Sequence, residues 1–196
     1  SFKFTGQQIG GELGAAMQRF AENPKDAAAA AIIAADPEYV GTLRTTCVAT
    51  MLSGGHAENA LPQLATATIN CRIFPGVSVE SVRLIIAEVI ADSGATVKEV
   101  GTSFASDASP LRDDVLQAVR KAVDAKFVGL PVIPSMSSGA TDSLYSRAQG
   151  IPSYGVSGAY VMPADDYSHG LNERVPVSSV ARGLTHWHVL LTELAK

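Results

Sequence analysis

Two short runs constrain this chain more than anything else in it: Thr45-Thr46-Cys47-Val48-Ala49-Thr50-Met51-Leu52 and Ala67-Thr68-Ile69-Asn70-Cys71-Arg72-Ile73-Phe74. β-Branched and apolar side chains suit a pleated, half-buried surface, so each run reads as a strand. Between them Ser53 to Pro62 forms a polar turn around Gly54-Gly55, and Pro75-Gly76 stops the second run. The pair therefore reads as a hairpin. Ser78 with Glu80 then opens a helix with Val82, Ile85, Ile86, Val89 and Ile90 on one face, and Gly94 closes it. Ala95 to Val100 reads as a further short strand. Strand, strand, helix and strand make most of a split βαβ, ferredoxin-like unit whose first strand and helix are expected ahead of Ser1.

The flanks follow other periods. Ile9, Leu13, Ala16, Met17 and Phe20 carry the spacing of an amphipathic helix, and Asn23-Pro24 reads as the cap of an alanine-rich helix ending before Pro37. From Gly101 to Ser109 the composition shifts to that of a linker. Ser109-Pro110 should cap a helix through Phe127 with Leu111, Val115, Ala118, Val119 and Ala122 inward. A short strand near Val132-Ile133, a helix after Thr141 ending at Gly150 and a strand near Tyr154–Val156 alternate as in α/β folds. The last helix, from Ser178, should bury Val180, Leu184, Trp187, Leu191 and Leu194. The expected class is α/β in two domains, residues 1–104 and 105–196.

Composition narrows the function. Of 196 residues, 46% are hydrophobic and 17% charged, which fits an ordered globular chain. A net charge of −4 without a basic stripe argues against nucleic acid as a partner. No apolar run approaches the roughly 18 residues that span a bilayer, so no membrane segment is expected. The start at Ser1 says nothing about export. Cys47 and Cys71 make no disulfide framework and read first as buried thiols. If their strands pair, a cross-strand bridge or a close thiol pair is the alternative.

Several polar residues could carry chemistry. His169 lies in Asp165-Asp166-Tyr167-Ser168-His169-Gly170, a loop of short polar residues that suits a metal ligand or a hydrogen-bonded surface histidine. Asp165 or Asp166 could orient its ring, and Glu173 could do so or pair with Arg174. His186 and His188, two apart on a helix, cannot converge on one ion and read as structural, with His188 flanking the apolar face and His186 pointing away from it. His56 and Asn59 sit at the hairpin tip. Arg72 on the returning strand offers a planar fork for a carboxylate, or an ordinary surface ion pair. Gly139-Ala140-Thr141-Asp142 before a helix could hold an anion on free amides, or form a plain N-cap.

Taken together, these runs resemble the M-twenty family of zinc peptidases, which includes carboxypeptidases and aminoacylases. The matching stretches are Arg44-Thr45-Thr46-Cys47, Gly54-Gly55-His56-Ala57-Glu58-Asn59-Ala60-Leu61-Pro62, Asn70-Cys71-Arg72-Ile73-Phe74-Pro75-Gly76, Pro134-Ser135-Met136, Gly139-Ala140-Thr141-Asp142, Gly150-Ile151-Pro152, Tyr154-Gly155 and His169-Gly170-Leu171-Asn172-Glu173-Arg174. The resemblance implies a lid, or dimerisation, domain carrying the hairpin and the C-terminal portion of a catalytic α/β domain. It implies that Asn59, Arg72, Gly139 and Thr141 bind substrate, with Asn59 and Arg72 on its terminal carboxylate. It implies that His169 is the last ligand of a pair of zinc ions, and that the protein forms a homodimer through the lid.

Departures from the family pattern matter as much. The His-x-Asp pair, the bridging Asp and the Glu-Glu pair that supply the other ligands and the general base are absent, as is the lid histidine that stabilises the tetrahedral intermediate. His56 is not its counterpart. The resemblance thus implies metal-assisted hydrolysis of a peptide or N-acyl amide bond by an intact protein, with no catalytic residue in this chain and no metal held by it alone. The competing reading is a non-catalytic module that dimerises or binds ligands. A redox role for the cysteines is disfavoured, because there is no Cys-x-x-Cys pair.

Overall fold

In the computed structural model, residues 1–162, 165 and 167–196 are described. The elements in chain order are α1 (Phe2–Ile9), α2 (Gly11–Glu22), α3 (Ala27–Ala34), a 3-10 turn (Val40–Thr42), β1 (Thr46–Gly54), β2 (Ala65–Arg72), α4 (Val79–Ile90), α5 (Asp113–Asp124), α6 (Ser143–Ala148) and α7 (Val177–Leu194). Mixed helices and a small antiparallel sheet make this an α/β chain. It divides into two compact units, Ser1–Ala108 with Ser135–Ile151, and Ser109–Pro134 with Pro152–Lys196. A division at 104/105 differs from these units mainly in the segment 135–151. Within the first unit Arg147 Nε donates to Ser106 Oγ at 3.3 Å, and the rings of Phe104 and Tyr145 meet edge-on at 5.5 Å.

The opening helix of the sequence reading is two helices. Gly10 and Gly11 both take left-handed backbone, φ 68° and 61°, which ends α1 and starts α2 in a new direction. The two helices then approach closely, since a Cβ on Gly6 would lie 2.5 Å from the Gly14 carbonyl oxygen. Ala16, Met17, Ala29 and Ile33 form the core beneath them, with Phe2 and Phe20 packed edge-to-face against it. The cap of α3 is Asp26 rather than Asn23: its carboxylate accepts from Ala29 N at 2.9 Å, whereas Asn23 Oδ1 accepts from Lys25 N. That amide, and then the nearby Arg19, holds the Asp26 carboxyl below the usual aspartate range.

β1 and β2 pair antiparallel from Thr46↔Arg72 to Gly54↔Ala65, with a bulge between Ala49 and Met51. Cys47 faces Cys71 in this register and the two are joined by a disulfide. The buried-thiol reading is thereby corrected. Cys47 is exposed on the ribbon, and opposition across the strands brought the sulfurs together. Ser78 caps α4 as expected, accepting from Ser81 N at 3.1 Å. The helix ends at Ala91, left-handed at φ 50°, before Gly94 is reached. Gly94 N bonds instead to Asp92 Oδ1 in a side-chain-closed turn. Residues 95–100 form no strand, so the ferredoxin-like pattern stops at strand, strand and helix.

In the second unit α5 begins at Asp113, not at Ser109. The Ser109 hydroxyl both donates to Ser153 O and accepts from Ser153 N, each at 2.9 Å, so it ties two segments together and does not cap a helix. Residues 132–133 and 154–156 form no strand among the described residues. α5 and α7 pack through Ala118, Ala122 and Leu190, flanked by Val119, Val156 and Val189. The face of α7 is the reverse of the one expected. Ser179, Gly183, His186 and Leu190 are buried, while Val180, Leu184, Trp187, Leu191 and Leu194 are exposed. Small residues decide it: a Cβ on Gly158 would lie 2.8 Å from Gly183 Cα, a backbone approach that the leucine stripe could not allow.

His186 is therefore a core residue, only 1% exposed, and His188 lies outside. Its Nδ1 is hydrogen-bonded to Tyr160 Oη at 2.8 Å, and its buried Nε2 has no partner among the described residues. Burial lowers the pKa of the ring.

Two predictions follow from these contacts. Replacing both Cys47 and Cys71 by Ala removes a constraint over 24 residues of sequence separation, and should lower stability in urea by about 3 kcal/mol. Counting thiols in denaturant should find none before reduction. For His186, the unfolded ring titrates near 6.5 while the folded ring titrates lower, so the unfolded state takes up the proton first as pH falls. Stability should be level above about pH 6.5 and fall below it, and His186→Phe should flatten that limb of the stability–pH curve.

Candidate functional site

The loop that carries His169 is clamped from its flanks. Arg174 donates to Asp165 at 2.7 Å, and its guanidinium lies 4.4 Å from the centroid of the Tyr167 ring. This corrects the pairing of Arg174 with Glu173, and it commits Asp165 to an arginine. Asp166 lies outside the described residues. Gly170 N closes the turn onto Tyr167 O at 2.7 Å, and a Cβ on Gly170 would sit 2.9 Å from that oxygen. His169 itself is left-handed, φ 62°, an uncommon conformation for a side-chain-bearing residue that histidine tolerates better than most. The turn leaves the ring exposed.

A catalytic zinc takes about three protein ligands. Among the described residues no three His, Cys, Asp or Glu side chains converge on a point that could hold an ion. One exposed imidazole does not fit a zinc centre.

The substrate-binding candidates lie in the first unit. Arg72 is exposed at the end of β2, opposite Thr46, and has no ion pair or side-chain hydrogen bond among the described residues. Asn59 lies in the connection between Gly54 and Ala65, at the other end of the ribbon from Arg72. His56 and Asn59 are both exposed there.

The 139–142 run departs from its expected form. α6 spans six residues, Ser143–Ala148, and Asp142 makes no side-chain cap. The Gly139 amide, expected to be free for an anion, is occupied by Ser137 Oγ at 3.1 Å. Thr141 O accepts from Leu144 N, and its exposed side chain has no hydrogen-bond partner among the described residues. A separate contact holds this run in place. A Cβ on Gly41 would lie 2.5 Å from Ser138 Cβ, so the 3-10 turn just ahead of β1 meets the residue just before Gly139. The run and the Thr46–Arg72 end of the ribbon are thus tied to neighbouring stretches of chain. Nothing in the residue types around Gly41 announced this. Its only trace in the sequence is a glycine where no turn needs one.

The sequence profile of the peptidase family M20/M25/M40 matches residues 7–193. N-fatty-acyl-amino acid synthase/hydrolase PM20D1 of Homo sapiens is 30% identical over 141 residues, 70% of this chain and 28% of that protein. The protein of the same name in Xenopus tropicalis is 29% identical over 154 residues, 76% of this chain and 30% of its own. Aminoacylase-1 of Mus musculus is 28% identical over 163 residues, 82% of this chain and 40% of that protein. The chain spans less than half the length of these relatives. No solved structure matches it.

Because Ser138 leaves no room at Gly41, Gly41→Ala should cost about 1–3 kcal/mol by overpacking. Urea unfolding would measure this, and Ser138→Gly in the same chain should restore most of the loss.

Proposed function

Because this chain belongs to the peptidase family M20/M25/M40, we propose that it is part of a hydrolase that splits a peptide or N-acyl amide bond beside an amino acid with a free carboxylate. The family match across residues 7–193 carries this reading. The names of the relatives, N-fatty-acyl-amino acid synthase/hydrolase and aminoacylase, point to the same bond type. The family is generally metal-dependent. In this reading the residues described here contribute recognition of the substrate.

In this reading Arg72 holds the carboxylate. Its guanidinium presents a planar fork of N–H donors that matches two carboxylate oxygens. It is exposed at a fixed place on a covalently linked ribbon, with no protein acid competing for it among the described residues. Asn59, at the far end of the ribbon, is better suited to a different part of the substrate. Thr141 offers a hydroxyl, and Gly139 offers the absence of a side chain beside it. Self-association belongs to the same reading. Among the described residues each strand of the ribbon has one unpaired edge, and such edges accept a further strand.

Arg72→Ala in the active protein should raise KM for an N-acyl amino acid by about 10- to 100-fold, the loss of a charge-assisted bidentate contact. The turnover number should change much less, since the contact is equally present in ground and transition states. Masking the substrate carboxylate as its methyl ester should produce the same loss in the unmutated protein and no further loss in the variant. An unchanged KM, or a variant that still distinguishes acid from ester, would remove Arg72 from this role.

A further inference from the structure

Strand alternation gives the ribbon two unlike faces. Cys47, Ala49, Ile69 and Cys71 lie on the side of α4, where Arg44 borders the same aliphatic groove. The opposite face carries Asn70 and Arg72 on β2, with Val48 directly across from Asn70 and Thr46 directly across from Arg72. Asn70 and Arg72 are thus neighbours on one face, about 6.8 Å apart at two rises of about 3.4 Å. Asn70 is exposed and, like Arg72, has no side-chain hydrogen bond among the described residues. Just past Arg72 the sheet ends, and Phe74 N donates to Thr45 Oγ1 at 3.0 Å. A ligand that is held by Arg72 and stays on the ribbon therefore lies toward Asn70.

We propose that Asn70 is a specificity-determining residue, whose carboxamide oxygen accepts the amide N–H of an N-acyl amino acid while Arg72 holds its carboxylate. The inference rests on the reading of Arg72 given above and adds a second point of recognition to it. A carboxamide beside a guanidinium matches a ligand that carries an amide beside a carboxylate. In an N-acyl amino acid the amide nitrogen is bonded to the carbon that bears the carboxylate. A hydrogen bond of about 2.9 Å at each end of that short link covers a distance of the same order as the spacing of the two strand positions. Of the two halves of the amide, the carbonyl has to face the attacking water during hydrolysis, which leaves the N–H for the ribbon. A plain carboxylate satisfies Arg72 and leaves Asn70 to water, so it makes one contact where the acylated amino acid makes two.

The test is an NMR titration of the 196-residue chain that follows Arg72 Nε–H and the Asn70 side-chain amide. The ligands are N-hexanoylleucine and its ester analogue, in which oxygen replaces the amide N–H and the carboxylate is kept. Both should shift the Arg72 signal, and the Asn70 signals should move with the amide and stay with the ester. The unmutated chain should bind the amide about fivefold more tightly than the ester, the worth of one neutral hydrogen bond. Asn70→Ala should abolish that preference by weakening the amide alone, whereas Arg72→Ala should weaken both ligands about tenfold or more. The ester comparison needs no substitution, so it decides even where a variant misfolds. Equal affinity of the unmutated chain for amide and ester would overturn the proposal and leave Arg72 in its role. So would equal weakening of both ligands by Asn70→Ala, which would make Asn70 a support for Arg72 and not a contact of the amide. If neither ligand shifts Arg72 Nε–H, the reading of Arg72 falls and this inference falls with it. The expected binding pattern in a complete protein that releases no leucine would keep the two-residue site and remove the hydrolase reading.

Discussion

The covalent tie between Cys47 and Cys71 fixes the register on which the functional geometry of the first unit depends. In an antiparallel ribbon a slip of one residue exchanges the two faces completely. A slip here would send Arg72 to the side of α4 and Ile69 to the side of the polar candidates. A two-stranded ribbon standing alone is marginal in water, and this one is exposed along most of both strands. The disulfide supplies a restraint that side-chain packing does not. The bulge at Thr50 adds a second one, since it absorbs one residue of β1 and keeps Leu52 opposite Ala67.

The second unit is held by a different economy. Its helices meet through Ala118, Ala122 and Leu190, and Gly158 lets a non-helical segment come close to Gly183 of α7, so the larger side chains are left outside. His186 enters the core because Gly158 and Gly183 set the orientation of α7, and once inside it needs Tyr160 to occupy one of its ring nitrogens. The polar pair follows from the helix packing.

What could be seen in the sequence was mostly what neighbouring residues decide among themselves. The hairpin, its turn and the Ser78 cap were legible because each depends on contacts a few residues apart. The break at Gly10-Gly11 is equally local, but an apolar period running through it concealed it. The direction of α7 was not legible. Val180, Leu184 and Trp187 make the stronger stripe, yet a glycine in a distant loop selected the weaker one. For the candidate site, the position of Arg72 on β2 followed from the strand pattern, while its having no ion pair among the described residues could be known only in three dimensions. The partner of Arg174 lies nine residues back, across a turn whose shape no propensity fixes. Gly139 illustrates the opposite error. The motif suggested a free amide, and a serine two residues earlier takes it.

The two arginines of the ribbon show why its faces are unlike. Arg44 and Arg72 lie near the same end of the sheet, two residues before Thr46 and directly opposite it. Arg44 borders aliphatic walls, whereas Arg72 shares its face with Thr46, Val48, Met51, Thr68 and Asn70. Strand alternation thus keeps Arg72 off the face that Ala49 and Ile69 line.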